Sequence, residues 1–209
     1  MLTLYYSPGA CSLAAHIVLE EAGAHFEAKR VTIVKGEHQT PEYLALNPHA
    51  RVPTLTDGDF VLTESPAILS YLGHRFADSG LLDLDNLEHL GRAQELLNFF
   101  SSGVHIAFAQ VWRAARFADS ESAQADVVES GRATVARYFT ELEALAPDGA
   151  WIVADNYSIA DPYMLVFYRW GWRIGFDMGR YPGWTRHKEK MLARPAVQRA
   201  VTREEIDFP

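Results

Sequence analysis

The feature that most constrains this chain is the passage from a short apolar run into a helical pattern at its start. Leu2–Tyr6 has the composition of a buried strand, Pro8-Gly9 interrupts it, and apolar residues at helical spacing follow up to Gly23. We therefore predict a strand, a turn and a helix. Cys11, the only cysteine, falls at the predicted helix start, where free N–H groups and the helix dipole favour a thiolate. The alternative is a buried, inert thiol, because free cysteine is often buried.

The next segments extend this pattern into an α/β unit. Phe26–Val34 is predicted to be a second strand, parallel to the first because a helix joins them. Val52–Leu55 and Phe60–Thr63 flank an Asp-Gly-Asp turn, which predicts a hairpin. Ser65 suits the N-cap of a following helix and Pro66 suits its first position.

Everything after residue 86 is helical in pattern. The predicted helices are Leu87–Phe117, Ala123–Leu145, Ser158–Ile174, Gly183–Ala193 and Pro195–Glu204. Ser158 and Asp161 have the spacing of a capping box, with aspartate in place of the usual glutamate. We predict an α/β domain of residues 1–79, a linker of residues 80–86 and an all-α domain of residues 87–209.

Composition excludes several classes of protein. A net charge of -8 argues against a nucleic-acid-binding protein, which normally has a basic face. No apolar segment approaches the ~20 residues that cross a membrane, and no signal sequence begins the chain, so we expect a cytoplasmic protein without membrane partners. No histidines or cysteines have the spacing of a metal site, so we expect no metal.

Four stretches resemble, in the same order, the bacterial beta-class glutathione S-transferases. They are Y-Y-S-P-G-A-C-S-L-A-A-H-I-V-L-E-E, N-P-H-A-R-V-P-T-L, L-T-E-S-P-A-I-L-S-Y-L and S-I-A-D-P-Y. The resemblance implies a thioredoxin-like N-terminal domain, an all-helical C-terminal domain and a homodimer. It also implies that glutathione is the co-substrate and that an electrophilic carbon accepts the glutathione sulfur.

The resemblance places the glutathione site in the N-terminal domain. Val52 would present its backbone to the cysteinyl part of glutathione, before a cis peptide bond to Pro53. Glu64 would pair with the α-ammonium group, and Ser65 lies at a helix start able to bind a carboxylate. Ser65 could equally be only a structural cap.

Two further residues are predicted to contact glutathione by the same resemblance. Ser12 lies beside Cys11 at the helix start, where the N–H groups would lower the pKa of the glutathione thiol. Lys35 corresponds less closely to the family pattern, and the alternative is a solvated surface lysine.

Three polar residues of the first long helix form a second candidate group. Asn98, Ser102 and His105 stand at i, i+4 and i+7, so a regular helix would project them from one face. The resemblance implies that His105 approaches the thiol and that Asn98 reaches glutathione in the partner subunit. Alone, a histidine among apolar residues is more often structural.

Aromatic residues of the helical domain are candidates for the electrophile pocket. Phe108, Trp112 and Trp170 could form its wall and accept a hydrophobic electrophile, although aromatics at helical spacing are more often core.

We predict a glutathione transferase in which Cys11 and His105 are the catalytic residues. Two alternatives remain open: a glutathione-dependent thiol-disulfide reductase using Cys11, and a non-catalytic binding protein of the same fold. Only one cysteine is present, so an internal dithiol mechanism is excluded.

Overall fold

The N-terminal part of the chain is built on a four-stranded mixed sheet. The computed structural model describes residues 1–209. Its strands are β1 (Leu2–Tyr6), β2 (Phe26–Arg30), β3 (Thr54–Asp57) and β4 (Phe60–Thr63), in the spatial order β2-β1-β3-β4. β1 and β2 are parallel, and β3 is antiparallel to both β1 and β4. The predicted parallel pair and the hairpin are thus confirmed.

Three helices accompany this sheet: α1 (Ser12–Glu21), α2 (Pro41–Leu46) and α3 (Ser65–Arg75). The predicted second strand is too long, because the chain turns after Arg30. There the Thr32 N–H donates to the carboxylate of Glu37 at 2.6 Å, and Gly36 takes a left-handed conformation at φ 76°. A hydrogen-bonded turn therefore replaces the end of the strand.

The helical part contains six α-helices. They are α4 (Leu87–Phe99), α5 (His105–Trp112), α6 (Glu121–Leu145), α7 (Asp161–Arg173), α8 (Pro182–Leu192) and α9 (Pro195–Glu204). The predicted single helix from residue 87 to 117 differs from the structure in two ways. A π-helical turn, Phe100–Val104, joins α4 to α5, and α5 ends at Trp112.

The predicted hydrogen bonds between Ser158 and Asp161 are present, but the helix begins at Asp161 with Ala160 as its N-cap, three residues later than predicted. The carboxylate of Asp161 accepts hydrogen bonds from the backbone N–H and the hydroxyl of Ser158, at 2.8 and 2.9 Å. It also accepts from the Ile152 N–H, and it lies 2.9 Å from Nε2 of His187. These partners satisfy a fully buried carboxylate, and they fix the start of α7, which is buried from Asp161 to Gly171.

One hydrophobic core extends through both parts of the chain. α1 packs against α7 and α9, and ion pairs surround this contact: Arg194 with Glu21, and Arg199 with Glu20. The two parts therefore meet along α1, the helix that follows the Cys11 turn. No helix combines the length and the apolar character needed to cross a membrane.

Candidate active site

A cavity of about 470 Å³ lies between the two parts of the chain. The loop after β1, the segment before β3 and the start of α3 form one side, and α5 and α7 form the other. The predicted site residues that line it are Cys11, Val52, Pro53, Glu64, Ser65, His105, Trp112 and Trp170. These residues are up to 159 positions apart in the sequence, and the fold brings them together around one cavity.

The loop between β1 and α1 is held by side chains distant in sequence. The indole Nε1 of Trp170 donates to the Gly9 carbonyl oxygen at 2.8 Å, and the Gly9 N–H donates to the carboxylate of Glu204 at 2.8 Å. Gly9 has a φ of 66°, and a Cβ there would collide with the guanidinium of Arg169. Only glycine combines this conformation with this close approach.

Ser12 stabilises the same loop and does not line the cavity. Its fully buried hydroxyl accepts a hydrogen bond from the Ser7 N–H at 3.1 Å. The Ser12 hydroxyl therefore has a structural role in the loop, and the contact of the Ser12 N–H group with glutathione stays a prediction.

Cys11 is a buried thiol in this structure. Its side chain is 6% exposed, and Sγ donates to the Val52 carbonyl oxygen at 3.3 Å. Burial raises the pKa of the Cys11 thiol to about 11, outweighing the Ser65 hydroxyl and the N–H groups of Cys11 and Ser12, which act in the opposite direction. The expectation of a thiolate at this helix start is wrong, because loss of hydration outweighs the helix N-terminus.

The backbone on the other side of the cavity has two unusual conformations. The Val52–Pro53 peptide bond is cis, as predicted. Glu64 has a φ of 69°, a conformation that non-glycine residues rarely adopt and that is concentrated at functional sites. Ser65 is the first residue of α3 and not its N-cap, so its N–H group belongs to the free end of the helix.

His105 lies beside a tyrosine that sequence analysis missed. Its Nδ1 is 3.3 Å from the hydroxyl of Tyr163, and its ring centroid is 5.0 Å from that of Trp170. Burial, together with the positive charge of Arg113, lowers the pKa of His105 to about 4, so this imidazole is neutral near pH 7.

Tyr163 is 1% exposed and lines the cavity. Burial and the neighbouring Cys11 raise the pKa of the Tyr163 hydroxyl well above its ordinary value, so it keeps its proton and can act as a donor. The last position of the S-I-A-D-P-Y stretch is this tyrosine, so the motif contained a signal for it.

The π turn explains why two predicted helix residues lie elsewhere. A π turn contains an additional residue, which rotates the following positions by roughly 100° relative to a regular α-helix. Asn98 and Ser102 are exposed and outside the cavity, whereas Ser101 lines it together with His105. The prediction that all three polar side chains share one face is wrong for this reason.

Two other predicted residues do not line the cavity. Phe108 is fully buried and stacks on Phe167 with a centroid distance of 6.0 Å, so it belongs to the core beneath Trp112 and Trp170. Lys35 lies in a 3₁₀ turn outside the cavity lining.

Arginines are the cavity residues that sequence analysis overlooked most completely. Five of them line it: Arg51, Arg113, Arg116, Arg169 and Arg173. They come from three separate segments of the chain, and Arg169 and Arg173 lie four residues apart on α7. No group of three or more metal-ligating side chains occurs in the structure.

A thioredoxin-like sheet next to a helical domain, with a cysteine at a helix start and a cis-proline facing one cavity, defines a class of thiol-dependent enzymes. Within that class the chain belongs to the glutathione S-transferase family. The model "Glutathione S-transferase, N-terminal domain" matches residues 1–74, and "Glutathione S-transferase, C-terminal domain" matches residues 104–195.

Individual relatives agree along the whole chain. Glutathione S-transferase GstA of Escherichia coli O157:H7 is 30% identical over 97% of this chain and 98% of its own length. A Sulfitobacter glutathione transferase homologue, solved with bound glutathione, superposes with a TM-score of 0.93 at 31% identity, covering 99% of both chains. A beta-class enzyme from Sphingomonas chungbukensis gives a TM-score of 0.85 at 31% identity, over 97% of this chain and 98% of its own. The predicted family, fold and enzyme class are confirmed.

Proposed function

We propose that this protein joins reduced glutathione to small electrophilic molecules within the cavity. In this reaction a bond forms between the glutathione sulfur and an electrophilic carbon, a leaving group departs, and the thiol proton passes to solvent. The observation that carries the proposal is one cavity in which the Cys11 loop, the Val52–Pro53 segment and the start of α3 face the aromatic residues of α5 and α7.

Glutathione carries an ammonium group and two carboxylates, and the cavity offers a partner for each. Glu64, the only carboxylate of the lining, pairs with the ammonium group. The free N–H groups at the start of α3 bind the neighbouring carboxylate, with Ser65. The backbone of Val52 holds the cysteinyl part, and Arg51, adjacent to it, binds the glycyl carboxylate.

The sulfur of bound glutathione then lies near the Cys11 loop. The Tyr163 hydroxyl donates a hydrogen bond that stabilises the thiolate, since this hydroxyl keeps its proton. His105 contacts Tyr163 and fixes its direction, and it remains neutral because its pKa is about 4. Cys11 shapes the sulfur site as a neutral thiol.

We further propose a cytoplasmic homodimer with domains of residues 1–79 and 87–209 and a linker of residues 80–86. Large apolar side chains outside the cavity are exposed on the single chain, including Val34, Phe60 and Leu87. Asn98 and Ser102 are exposed too and are available to the partner's glutathione. Light scattering should give twice the 23.4 kDa of one chain, and a monomer with full glutathione affinity would contradict this.

A thiol-disulfide reductase remains the second candidate, because Cys11 lines the cavity and could form a mixed disulfide with glutathione. Its 6% exposure and raised pKa favour conjugation instead. A binding protein without turnover would not need the Tyr163 hydroxyl as a hydrogen-bond donor to the sulfur.

The test compares conjugation of glutathione to 1-chloro-2,4-dinitrobenzene with reduction of a glutathione mixed disulfide. We expect conjugation well above the uncatalysed rate, and loss of more than tenfold in kcat/KM for Tyr163→Phe. Tyr157→Phe is the matched control, since the Tyr157 hydroxyl is also buried but lies outside the cavity. Absence of conjugation together with rapid disulfide reduction would replace our proposal by the second candidate.

A further inference from the structure

The cavity carries a positive charge that the protein as a whole does not. The chain has a net charge of -8. Nevertheless, five arginines line the cavity and Glu64 is the only carboxylate among the lining residues. Clefts lined by one sign of charge concentrate ligands of the opposite sign.

Four of these five arginines lack protein partners. Arg51, Arg113, Arg116 and Arg173 have no hydrogen-bond acceptor or ion-pair partner for their guanidinium groups, whereas Arg169 pairs with Asp207. Outside the cavity, Arg180 is the only arginine without such a partner. The partnered ones are Arg30, Arg75, Arg92, Arg132, Arg137, Arg186, Arg194, Arg199 and Arg203.

Three of the unpartnered groups face the same space. The positive charges of Arg113, Arg51 and Arg116 all act to lower the pKa of His105. Burial and the charges of Arg51 and Arg113 also lower the pKa of Arg116 itself. Placing like charges together costs free energy, and an anionic ligand would remove that cost.

Glutathione accounts for only part of this charge. In the proposed binding mode Arg51 binds the glycyl carboxylate, and the other end of glutathione contacts Glu64 and α3. Arg113, Arg116 and Arg173 remain, at the ends of α5 and α7 and in the turn after α5. They lie beside Trp112 and Trp170, on the side of the cavity assigned to the electrophile.

We propose that the electrophile is an aromatic carboxylate or sulfonate, whose ring packs on Trp112 and Trp170 and whose anionic group binds Arg113 and Arg116. The inference rests on the proposed function and refines the expected hydrophobic electrophile to an apolar body with an anionic group. With an aryl chloride, the glutathione thiolate forms the new C–S bond, the C–Cl bond breaks and chloride leaves. The thiol proton goes to solvent, and nothing is oxidised or reduced overall.

The test uses two aryl chlorides that differ in charge. These are 4-chloro-3,5-dinitrobenzoate and the neutral 4-chloro-3,5-dinitrobenzamide, each kcat/KM being divided by the uncatalysed rate with glutathione. We expect the native enzyme to prefer the anion by tenfold or more. We expect the double variant Arg113→Gln, Arg116→Gln to lower that preference at least tenfold, because each guanidinium binds the anionic group directly. Arg180→Gln, the unpartnered arginine outside the cavity, should retain the preference.

Equal normalised rates for the two compounds, or the same preference in the double variant, would overturn the inference. If the double variant does not fold, calorimetry on the native protein with S-methylglutathione supplies the same comparison, using 3,5-dinitrobenzoate and 3,5-dinitrobenzamide. Tighter binding of the benzoate supports the inference and equal binding contradicts it. Turnover of neither chloride would count against the proposed function, whereas calorimetry would still decide the preference for an anion.

Discussion

The indole nitrogen of Trp170 donates a hydrogen bond to the carbonyl oxygen of Gly9 across 2.8 Å, joining α7 to the loop that precedes Cys11. Trp170 also lines the cavity. The same side chain therefore forms part of the cavity wall on α7 and holds the Gly9 loop on the opposite wall. The position of the loop therefore depends on helix packing 161 residues further along the chain.

Trp170→Phe should lower both stability and glutathione affinity. The substitution leaves the Gly9 carbonyl without its donor, which costs about 1–3 kcal/mol when the group is buried. Urea denaturation and glutathione titration measure the two effects. Trp172→Phe is the control, since this tryptophan lies on the same helix and its indole has no hydrogen bond. Equal losses in both variants would show that the Gly9 contact contributes nothing specific.

Glu204→Gln should destabilise the protein by about 1.5–3 kcal/mol, because a buried carboxylate that accepts two hydrogen bonds becomes neutral. Its partners are the Gly9 N–H and the ring of His16, both at 2.8 Å. Glu205→Gln is the neighbouring control. Glu205 pairs with Arg30 at the surface, so its replacement should change stability by less than about 0.5 kcal/mol. Urea denaturation measures the unfolding free energy of both variants, and equal values for the two would contradict the prediction.

Cys11 should react slowly with iodoacetamide in the folded protein. Its pKa is about 11, two units above its ordinary value of 9.0, so at pH 8 the thiolate fraction is about 100-fold below that of an unfolded chain. Intact-mass spectrometry before and after unfolding in urea measures the difference, and Cys11→Ala provides the unlabelled reference. Rapid labelling of the folded chain would contradict the raised pKa.

The same thiol should be dispensable for conjugation. Because the attacking sulfur belongs to glutathione, we expect Cys11→Ala to lower kcat/KM by less than about tenfold, or roughly 1.4 kcal/mol in transition-state stabilisation. Steady-state kinetics with 1-chloro-2,4-dinitrobenzene tests this. Abolished conjugation in a folded variant would assign Cys11 a direct role in the reaction.

His105 should make stability depend on acid pH. Its pKa is about 4 in the folded protein and ordinarily about 6.5, so between these values only the unfolded chain gains the proton. The stabilising contribution is complete above pH 6.5 and is lost as pH falls toward 4. The difference in unfolding free energy between native protein and His105→Gln should shrink over that window. A constant difference in urea denaturation from pH 7 to pH 4.5 would rule this out.

Glu64→Gln should raise the KM for glutathione more than it lowers kcat, because the proposed ammonium partner is remote from the sulfur. Loss of a charge-assisted pair of about 1.5–3 kcal/mol corresponds to roughly ten- to hundredfold in KM. Glu129→Gln, an exposed glutamate of α6, is the control. An unchanged KM would remove Glu64 from the glutathione site.

Local patterns in the sequence predicted those parts of the fold that local interactions determine. The strand-turn-helix at Cys11, the hairpin and the Ser158–Asp161 hydrogen bonds all depend on residues close in sequence, and all are present. The shared face of Asn98, Ser102 and His105 was predicted from regular α-helical spacing, which the π turn interrupts. No local pattern in the sequence indicated this turn.

The chemistry of the cavity depended on contacts between distant segments. The pKa of Cys11 is dominated by burial, which arises from the packing of the whole site and cannot be deduced from a helix start. The cluster of Arg51 with Arg113 and Arg116 likewise exists only after the N-terminal and helical parts meet.

The two family models match separate ranges, residues 1–74 and 104–195, but the loop that carries Cys11 makes contacts with both halves of the chain. Both anchors of Gly9, Trp170 and Glu204, belong to the second half. An N-terminal half joined to a foreign helical half would carry its glutathione residues without the groups that position them. Both halves of the chain therefore hold this loop, and a helical half without these two side chains would leave the Gly9 N–H and carbonyl without partners.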